Sequence, residues 1–407
     1  MHPDLMRKID FYTGIPLAFI GTRVDKLAQL FRKNDSRPKK ILFLELSEMG
    51  STILADPAMR KARTLFAAEL YFVIFAKNRP SLNLLNTIPS ENIFTIREES
   101  LFTIATDVLR FRGWCRRKQI DTVVDLELFS RFSALLSWLS GATIRSGFFA
   151  FHSEGLYRGD FLTHKVAYNP YLHIAKNFIA LVNALAAAKA EIPFSKTLIT
   201  DEEIRLPTVT FTSEEKAAML ARIGQEFSDL DFTDGGRLII INPNSSELLP
   251  QRRWAPENFV TLARMILCAD PAVQILITGS PSERAGSQDL VDQVANPRCR
   301  NFTGCLRLEE LPLLYAVTEV MITNDSGPGH FAAVTRMPTV VLFGPETPAL
   351  YGSLGNFLPV YAGLACSPCV SATNHRKTPC RDNVCLQVIT PEMVFAQIKP
   401  FIRTGTC

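Results

Sequence analysis

The sequence predicts an α/β protein built from two doubly wound domains, each with a parallel sheet. The first observation is that short apolar runs alternate with longer segments of helical periodicity, as strands and helices alternate in such folds. The second is that polar turns follow several of the apolar runs, at the positions where open parallel sheets bind ligands. The third is the length of 407 residues, enough for two cores, with a proline-containing stretch at residues 192–212 as the boundary.

The composition and the charge exclude several classes of protein. An apolar content of 47% with 21% charged residues is that of a globular chain and not of a disordered one. No apolar run reaches the ~18 residues of a spanning helix. Pro16 and charged residues interrupt the N-terminal apolar run, so we expect no cleavable export signal and a cytoplasmic location. Residues 1–40 carry nine Lys or Arg and four Asp, a net charge of +5, whereas the whole chain has a net charge of +4. The basic excess therefore lies at the N-terminus, and no nucleic-acid-binding face is expected on the rest of the protein.

Residues 1–38 are predicted to form a basic amphipathic segment and a polar linker. Val24, Leu27, Leu30 and Phe31 have helical spacing beside several Arg and Lys residues. A helix of this kind lies in the interface of an anionic bilayer or packs on the domain that follows it. The pattern alone supports the two hypotheses equally.

The first domain is predicted for residues 39–205, and it opens with a buried strand at residues 41–46 followed by a polar turn and a helix. In this turn Glu48 is the carboxylate nearest to Ser51, and Asp56 lies further along the helix. From the residues alone, Glu48 is explained as an exposed carboxylate that complements the helix dipole. Further strands are predicted at residues 71–75, 93–96 and 122–126.

The second domain is predicted for residues 206–390, with a terminal helix over residues 391–407. Asn244 and Ser245 lie in the polar turn that follows its first strand, and Arg252 comes shortly after them. A guanidinium beside a polar turn suits a diphosphate, because it can pair with two phosphate oxygens. Further strands are predicted at residues 273–278, 320–322 and 339–343.

Residues 320–344, VMITNDSGPGHFAAVTRMPTVVLFG, contain a strand, a polar turn, a helix and a second strand. Asp325, Ser326 and Gly327 form the turn, and His330 begins the helical stretch. Backbone N–H groups at such a helix start favour a phosphate, whereas the Asp325 carboxylate suits a sugar hydroxyl. An ordinary strand-to-helix cap explains the bare Asp-Ser-Gly pattern. The longer stretch is more specific.

Four cysteines lie within twenty residues after the last strand: Cys366, Cys369, Cys380 and Cys385. Thiolates grouped in this way predict a structural zinc or iron site. The alternative is a surface loop with four unmetallated thiols, since the spacing is not that of a zinc finger.

The stretch around Asp325 resembles the donor-site signature of the heptosyltransferase family, glycosyltransferase family 9, in which Asp-Ser/Thr-Gly and a following His open a helix. The resemblance extends over residues 39–402. It implies a GT-B architecture with two Rossmann-like domains facing across a cleft, and inverting transfer of a sugar without a metal in the chemical step. The implied donor is a nucleotide-diphosphate sugar such as ADP-heptose, and the implied acceptor is lipopolysaccharide or another glycan or lipid-linked acceptor. The implied donor-binding residues are Asn244, Ser245, Arg252, Glu283, Asp325, Ser326, Gly327 and His330.

The resemblance has one departure that bears on catalysis. Ser51 stands where the family has an aspartate that is its candidate general base, which leaves Glu48 as the replacement. The alternative is a degenerate, non-catalytic nucleotide-sugar-binding protein. A nucleotide-dependent oxidoreductase is disfavoured because no G-x-G-x-x-G follows any predicted strand. For an enzyme with a lipid-linked acceptor, we expect peripheral attachment to the inner face of the cytoplasmic membrane.

Overall fold

Two parallel sheets, one in each half of the chain, organise the fold. The structure, a computed structural model, describes residues 3–30, 37–128, 130–151, 156–227, 236–246, 249–371 and 377–403. The chain divides into two units, Met1–Arg205 and Leu206–Cys407, and each contains a six-stranded sheet. Within the described residues no helix is long and apolar enough to cross a membrane.

The first unit has the sheet order β3-β2-β1-β4-β5-β6, with every pair parallel. Its strands are β1 Lys40–Leu44, β2 Glu69–Phe75, β3 Ile93–Ile96, β4 Thr122–Asp125, β5 Ile144–Phe148 and β6 His164–Val166. Its helices are α1 Pro3–Tyr12, α2 Gly14–Gln29, α3 Met49–Phe66, α4 Leu101–Lys118, α5 Arg131–Leu139 and α6 Ile174–Ala186.

Continuous apolar runs place the central strands of this unit. Four of the five residues of β1 are buried, and β2 is buried from its second residue onward. Such runs are typical of strands covered by helices on both faces. The sequence analysis missed β5 because buried Arg145 interrupts its apolar run, and it missed β6 because that strand has only three residues. Residues 34–36 of the polar linker predicted at residues 34–40 lie outside the described residues.

The second unit has the sheet order β12-β11-β10-β7-β8-β9, again with every pair parallel. Its strands are β7 Arg237–Asn242, β8 Val273–Ile277, β9 Cys299–Asn301, β10 Val320–Asn324, β11 Thr339–Phe343 and β12 Phe357–Tyr361. Its helices are α7 Ser213–Glu226, α8 Pro256–Ala269, α9 Arg284–Val294, α10 Leu311–Ala316, α11 Gly327–Ala332, α12 Pro348–Tyr351, α13 Val384–Gln387 and α14 Pro391–Ile398.

Both sheets have the same topology. Counted from the first strand of its own unit, each sheet has the order 3-2-1-4-5-6, the order of dinucleotide-binding folds. In such a sheet the strand order reverses between the first and fourth strands, and the polar turns at their carboxyl ends are adjacent. The fold therefore predicts a ligand site beside β1 and β4 in one unit and beside β7 and β10 in the other.

Candidate functional site

The carboxyl ends of β7, β10 and β11 meet at one edge of the second sheet. These strands are parallel neighbours, so the turns that follow them lie side by side. Residues 243–246 follow β7, residues 325–326 follow β10 and residues 344–346 follow β11. The edge thus gathers polar segments that are distributed over about a hundred residues of the sequence.

Asn324, the last residue of β10, holds these turns together. Its side-chain N–H donates to the Pro243 carbonyl at 2.7 Å, and its side-chain oxygen accepts from the Trp254 backbone N–H at 3.1 Å. The Trp254 ring is buried, and its Nε1–H donates to the Ile389 carbonyl at 2.8 Å. These bonds fix the backbone that carries Arg252 beside the end of β10. The sequence analysis missed Asn324, although an amide at the end of an otherwise apolar strand was a signal for it.

Arg252 is the central charge of this edge. Its Nη2 lies 2.6 Å from Glu346 Oε2, and its Nε lies 3.5 Å from Asp325 Oδ2. The side chain of Arg252 is 14% exposed, and those of Asp325 and Glu346 are 6% and 1% exposed. One guanidinium between two ionised carboxylates leaves a net negative charge, which burial makes unfavourable.

Burial and the neighbouring charges shift the pKa values of all three groups. Burial raises the pKa of Glu346 to about 7. Attraction to Arg252 lowers this pKa, and repulsion from Asp325 partly offsets that lowering. Burial also raises the pKa of Asp325, against the attraction of Arg252. For Arg252, burial lowers the pKa, but the two carboxylates raise it by more, so this group stays positive. The pKa of Glu346 thus lies near neutral pH, so this group changes its charge in that range.

Glu346 was missed by the sequence analysis. The predicted strand at residues 339–343 was followed only as far as the Gly344-Pro345 turn, and Glu346 is the next residue. The structure shows that the β10–β11 register carries this turn to the same edge as Asp325. An acid directly behind a buried strand and a Gly-Pro turn was the signal that could have identified it.

Several buried polar atoms at this edge lack a hydrogen bond. Among the described residues, Ser245 Oγ is buried and makes none; Arg252 Nε and Asp325 Oδ2 are also buried and make none, although they contact each other as an ion pair at 3.5 Å. Buried polar atoms in native proteins are almost always satisfied, so such atoms require an explanation. A ligand that carries both an anionic group and hydroxyl groups would satisfy donors and acceptors of these kinds.

Asn244 and Glu283 converge above Gly279. A Cβ at position 279 would lie 2.5 Å from Asn244 Nδ2 and 2.9 Å from Glu283 Oε2, so a larger residue would displace both side chains. Glu283 Oε2 accepts from the backbone N–H and the Oγ of Ser280 at 2.6 Å and 2.8 Å. Asn244 Nδ2 donates to the Thr278 carbonyl at 3.2 Å. Glu283 therefore has the capping contacts of a helix start, and it lies beside the predicted donor-binding Asn244.

Ser326, Gly327 and His330 lie at the start of α11. Ser326 has an extended backbone, and its Oγ donates to the Asn324 carbonyl at 3.1 Å. The helix begins at Gly327 and not at His330 as predicted, and it has only six residues. A helix this short has a weak dipole, since few peptide units are aligned. The positive charge at this edge is therefore supplied mainly by Arg252.

In the first unit, Glu48 directly precedes α3 and is half-buried. Its Oε2 accepts from Ser51 Oγ at 3.1 Å, so these two residues form a pair within the turn after β1. Glu127, which follows β4, contacts the same turn: its Oε1 accepts from the Leu46 N–H at 2.9 Å and from Ser47 Oγ at 3.0 Å. The structure thus brings two carboxylates to this turn.

Asp56, the other acid considered in this region, is bound inside the first unit. It is fully buried and accepts from Arg60 Nε at 2.7 Å and from Thr87 Oγ1. With these contacts Asp56 stabilises the packing of α3.

Asp125, at the end of β4, is also bound inside its unit. It is buried, pairs with Arg158, and accepts from the Glu127 N–H at 3.2 Å and from Ser133 Oγ at 3.3 Å. Burial raises the pKa of Asp125 to about 6, against the attraction of Arg158. Arg158 in turn donates to the carbonyls of Glu127 and Ser130 at 2.7 Å and 2.9 Å.

The four cysteines of the predicted metal site differ in their surroundings. Cys366 is exposed and Cys385 is buried, while the Cys369 backbone N–H donates to the Pro345 carbonyl at 3.0 Å. Burial raises the pKa of Cys385 to about 11, and the other three thiols, including that of Cys380, add to the rise. Within the described ranges no group of three or more His, Cys, Asp or Glu side chains is placed to hold a metal ion. The predicted zinc or iron site therefore does not fit this geometry.

A depression of about 700 Å³ lies at the opposite edge of the first sheet. It is lined by residues at the amino ends of β5 and β6, by the end of α3 and by the end of α6. None of the site residues singled out by the sequence analysis lines it. The buried charges at the carboxyl edges, and not this depression, define the candidate site.

Comparisons with known proteins agree with the fold and with the motifs. The model of glycosyltransferase family 9 (heptosyltransferase) matches residues 108–379. The chain is 27% identical over 168 residues to lipopolysaccharide heptosyltransferase 2 of Salmonella typhimurium, covering 40% of this chain and 45% of that protein. It is 21% identical over 334 residues to the lipopolysaccharide core heptosyltransferase OpsX of Haemophilus influenzae, covering 80% and 85%. In the Salmonella match, the chain spans less than half the length of the relative.

The structure is similar to that of ADP-heptose lps heptosyltransferase II from E. coli. The TM-score is 0.66 at 20% sequence identity, and the match covers 89% of this chain and 98% of that chain. This likeness confirms the predicted fold class, the GT-B type with two Rossmann-like, doubly wound units.

Proposed function

The chain belongs to glycosyltransferase family 9, the heptosyltransferases, and on that premise we propose that it is an inverting glycosyltransferase. It transfers a sugar from a nucleotide-diphosphate sugar to a hydroxyl group of a glycan acceptor. The observation that carries the proposal is the buried Arg252–Asp325 pair, whose Nε and Oδ2 make no hydrogen bond among the described residues. A cation and an acid held together in this way suit a ligand that carries both phosphate and hydroxyl groups.

The second unit binds the donor. Arg252 pairs with the diphosphate, and Asp325 accepts a hydrogen bond from a hydroxyl of the sugar. Glu346 and Asn324 position Arg252, the first by a direct ion pair and the second by holding the Trp254 backbone. The remaining donor contacts are assigned to residues of the neighbouring turns: Asn244, Ser245, Glu283, Ser326, Gly327 and His330.

The transfer is a single displacement. The acceptor oxygen forms a bond to the anomeric carbon while the bond from that carbon to the diphosphate oxygen breaks, which inverts the configuration. The nucleoside diphosphate leaves with the bonding electron pair, and Arg252 stabilises its charge as a fixed cation. The acceptor proton passes to the Glu48 carboxylate, which acts as the general base.

The donor and acceptor classes follow from the relatives. Those compared above are named for heptose transfer in lipopolysaccharide synthesis, and one solved structure is named for ADP-heptose. We therefore propose an ADP-heptose-like donor and a lipopolysaccharide or other lipid-linked glycan acceptor. The enzyme would then work at the cytoplasmic face of the inner membrane.

The cysteine loop is proposed to support the donor site mechanically. The Cys369 N–H binds the Pro345 carbonyl next to Glu346, and Cys385 packs against Gly344. The loop therefore holds the turn that carries Glu346, through the Cys369 backbone and the Cys385 side chain, and no step of the transfer passes through the thiols. Elemental analysis of protein purified without metal-affinity resin tests this, and a full equivalent of zinc or iron would contradict it.

A non-catalytic nucleotide-sugar-binding protein is the second candidate, favoured by Ser51 in place of the family's aspartate. The two candidates differ in turnover. Release of nucleoside diphosphate from an ADP-sugar, even by slow hydrolysis, supports an enzyme. Donor binding with no turnover in the presence of acceptor supports the binding protein.

Thermal unfolding with ADP-, GDP- and UDP-sugars tests the donor site directly. We expect one of these donors to raise the unfolding temperature of the wild type. Arg252→Ala should weaken nucleoside diphosphate binding by about 1.5–3 kcal/mol, the range for a hydrogen bond to a charged group. Arg307→Ala is the matched control, because Arg307 is an exposed arginine whose ion pair with Glu310 is elsewhere in the second unit. Equal affinity of Arg252→Ala and the control would contradict the assignment.

A further inference from the structure

Helix α2 packs on the first unit through its small and polar side chains. The inward face consists of buried residues at helical spacing: Gly14, Ala18, Gly21, Thr22 and Asp25. A Cβ at position 14 would lie 2.9 Å from the Arg131 side chain, and one at position 21 would lie 3.1 Å from the Phe161 ring. The two glycines therefore allow α2 to approach the unit closely.

The opposite face of α2 is apolar and exposed. We call it the outer face; its residues are Leu17, Phe19, Ile20, Val24, Leu27 and Leu30, which are between 49% and 78% exposed. Leu17, Ile20, Val24 and Leu27 follow one another at intervals of three or four residues, so they form a stripe. An ordinary surface helix turns such a stripe towards its core. In α2 the apolar stripe instead faces away from the core, so it can contact another apolar phase.

In the helix pair formed by α1 and α2, Asp10 and Asp25 make ion pairs with the rest of the first unit. Asp25 pairs with Arg145, and both side chains are fully buried. Asp10 in α1 lies 3.1 Å from Arg131 Nη1 and also accepts from the Phe132 N–H at 2.9 Å. These contacts remove two negative charges from the exposed surface of the pair.

Two basic residues of α2 lie among the residues of the outer face. Arg23 is exposed, and its guanidinium lies 5.0 Å from the centre of the Phe19 ring. Lys26 contacts Asp160 at 2.9 Å, but its side chain remains 58% exposed. Because Asp10 and Asp25 are paired on the inner side while Arg23 and Lys26 are exposed, the outer face has a positive border. The two helices nevertheless contain both acidic and basic residues.

We propose that the outer face of α2 docks on an anionic lipid bilayer, with its apolar stripe in the interface and its basic border on the headgroups. Apolar side chains flanked by Lys and Arg are what interfacial helices use, and no described helix is suited to spanning. A second copy of the chain is a poorer occupant, because a two-fold interface would place the basic border against itself. The inference deepens the proposed function by naming the surface that meets the membrane.

Co-flotation of the full chain with vesicles tests the inference. Vesicles of phosphatidylcholine with phosphatidylglycerol are compared with vesicles of phosphatidylcholine alone. We expect the wild type to bind the anionic vesicles and to dissociate as salt screens the headgroups. The double variant Ile20→Glu/Leu27→Glu should lose at least about tenfold in binding, because it places two carboxylates in the stripe.

Leu109→Glu/Leu198→Glu is the matched control, since both leucines are exposed apolar residues away from the helix pair. Circular dichroism establishes that both double variants are folded. The proposal fails if the wild type does not bind anionic vesicles or if the α2 variant binds as tightly as the control. It also fails if light scattering shows that the α2 variant disrupts a dimer and vesicle binding is unaffected. Donor-induced stabilisation, measured without vesicles, should be the same in all variants; its absence in all of them would count against the donor site alone.

Discussion

The two sheets share one topology, and each carries a buried aspartate at the end of its fourth strand, but the two aspartates are bound differently. Asp125 accepts from the Glu127 N–H and from Ser133, and it pairs with Arg158. Asp325 pairs with Arg252 at 3.5 Å, and its Oδ2 makes no hydrogen bond among the described residues. Burial raises the pKa of both acids. Burial and pKa therefore do not distinguish the two sites, whereas hydrogen-bond satisfaction does.

This difference separates a structural acid from a binding acid. Around Asp125 the unit satisfies its own charges, because Arg158 also donates to backbone carbonyls. Around Arg252 two carboxylates share one cation, and polar capacity remains for a ligand. In the first unit, the residues suited to chemistry lie instead in the turn after β1, where Glu48 is half-buried.

Among the proposed variants, the change at Glu48 should affect turnover most. Glu48→Gln should lower turnover by about 10²–10⁴, the usual contribution of a general base, with donor affinity nearly unchanged. Asp56→Asn is the matched control: it should lower stability, because Asp56 binds Arg60 and Thr87, and it should change turnover little. Steady-state kinetics and thermal unfolding of both variants decide. If Asp56→Asn abolishes turnover while Glu48→Gln remains active, Asp56 and not Glu48 is the general base.

The two aspartates provide the next largest effect. Asp125→Ala should cost about 3–5 kcal/mol in unfolding free energy, because it leaves Arg158 as an uncompensated buried charge. Asp325→Ala should lower turnover by about 10²–10³ and leave the fold intact, since Arg252 keeps its Glu346 partner. Denaturant titrations and kinetics on the same two variants make the comparison. Similar stability losses in both would show that Asp325 is structural as well.

A smaller effect is expected from pH, because it changes the charge of Glu346 beside Arg252. Because the pKa of Glu346 is raised to about 7, this group becomes neutral as the pH falls through that value. The site then loses a negative charge, and affinity for ADP should rise by roughly tenfold, which corresponds to one pKa unit of coupling. Titration calorimetry of the wild type and of Glu346→Gln across this range is the measurement. The variant should give the pH dependence of ADP alone, and a wild type with the same profile would rule out the coupling.

The same group has a stability consequence with a defined sign. The pKa of Glu346 is raised from an ordinary value of 4.5 to about 7, so the folded chain binds this proton more tightly than the unfolded chain. Stability from this group is therefore present at low pH and is lost as the pH rises from about 4.5 to about 7. Glu346→Gln should remove this part of the pH dependence.

Local sequence patterns predicted much of the fold, because buried strands appear as short apolar runs and turns appear as clusters of capping and turn-forming residues. The strands at residues 71–75 and 93–96 are found as β2 and β3, since each is a short, largely apolar run between turns. β5 escaped prediction because its buried arginine is neutralised by Asp25, a residue 120 positions away. Local periodicity cannot predict an ion pair between residues so far apart, so no short window of sequence could have identified this strand.

The residues of the candidate site were likewise predicted where local patterns identify them and not where distant contacts do. Arg252 and Asp325 were predicted from their turns, but Asn324 and Glu346 were not, because their roles depend on which turns the parallel register brings to one edge. The four cysteines were predicted as ligands from their spacing, yet their geometry does not fit a metal. Spacing limits which residues can meet, and the packing of the loop decides whether they do.

Local sequence patterns were sufficient to predict the alternation of strands and helices, the polar turns and the basic amphipathic N-terminus, because each depends on neighbours within a few residues. The folded chain was needed to show which acids are satisfied internally and which face of α2 is exposed. Both depend on distant partners, Arg158 for Asp125 and Arg145 for Asp25. Burial makes an unpaired charge costly, so these long-range pairs decide which side chains remain available to a ligand or a membrane.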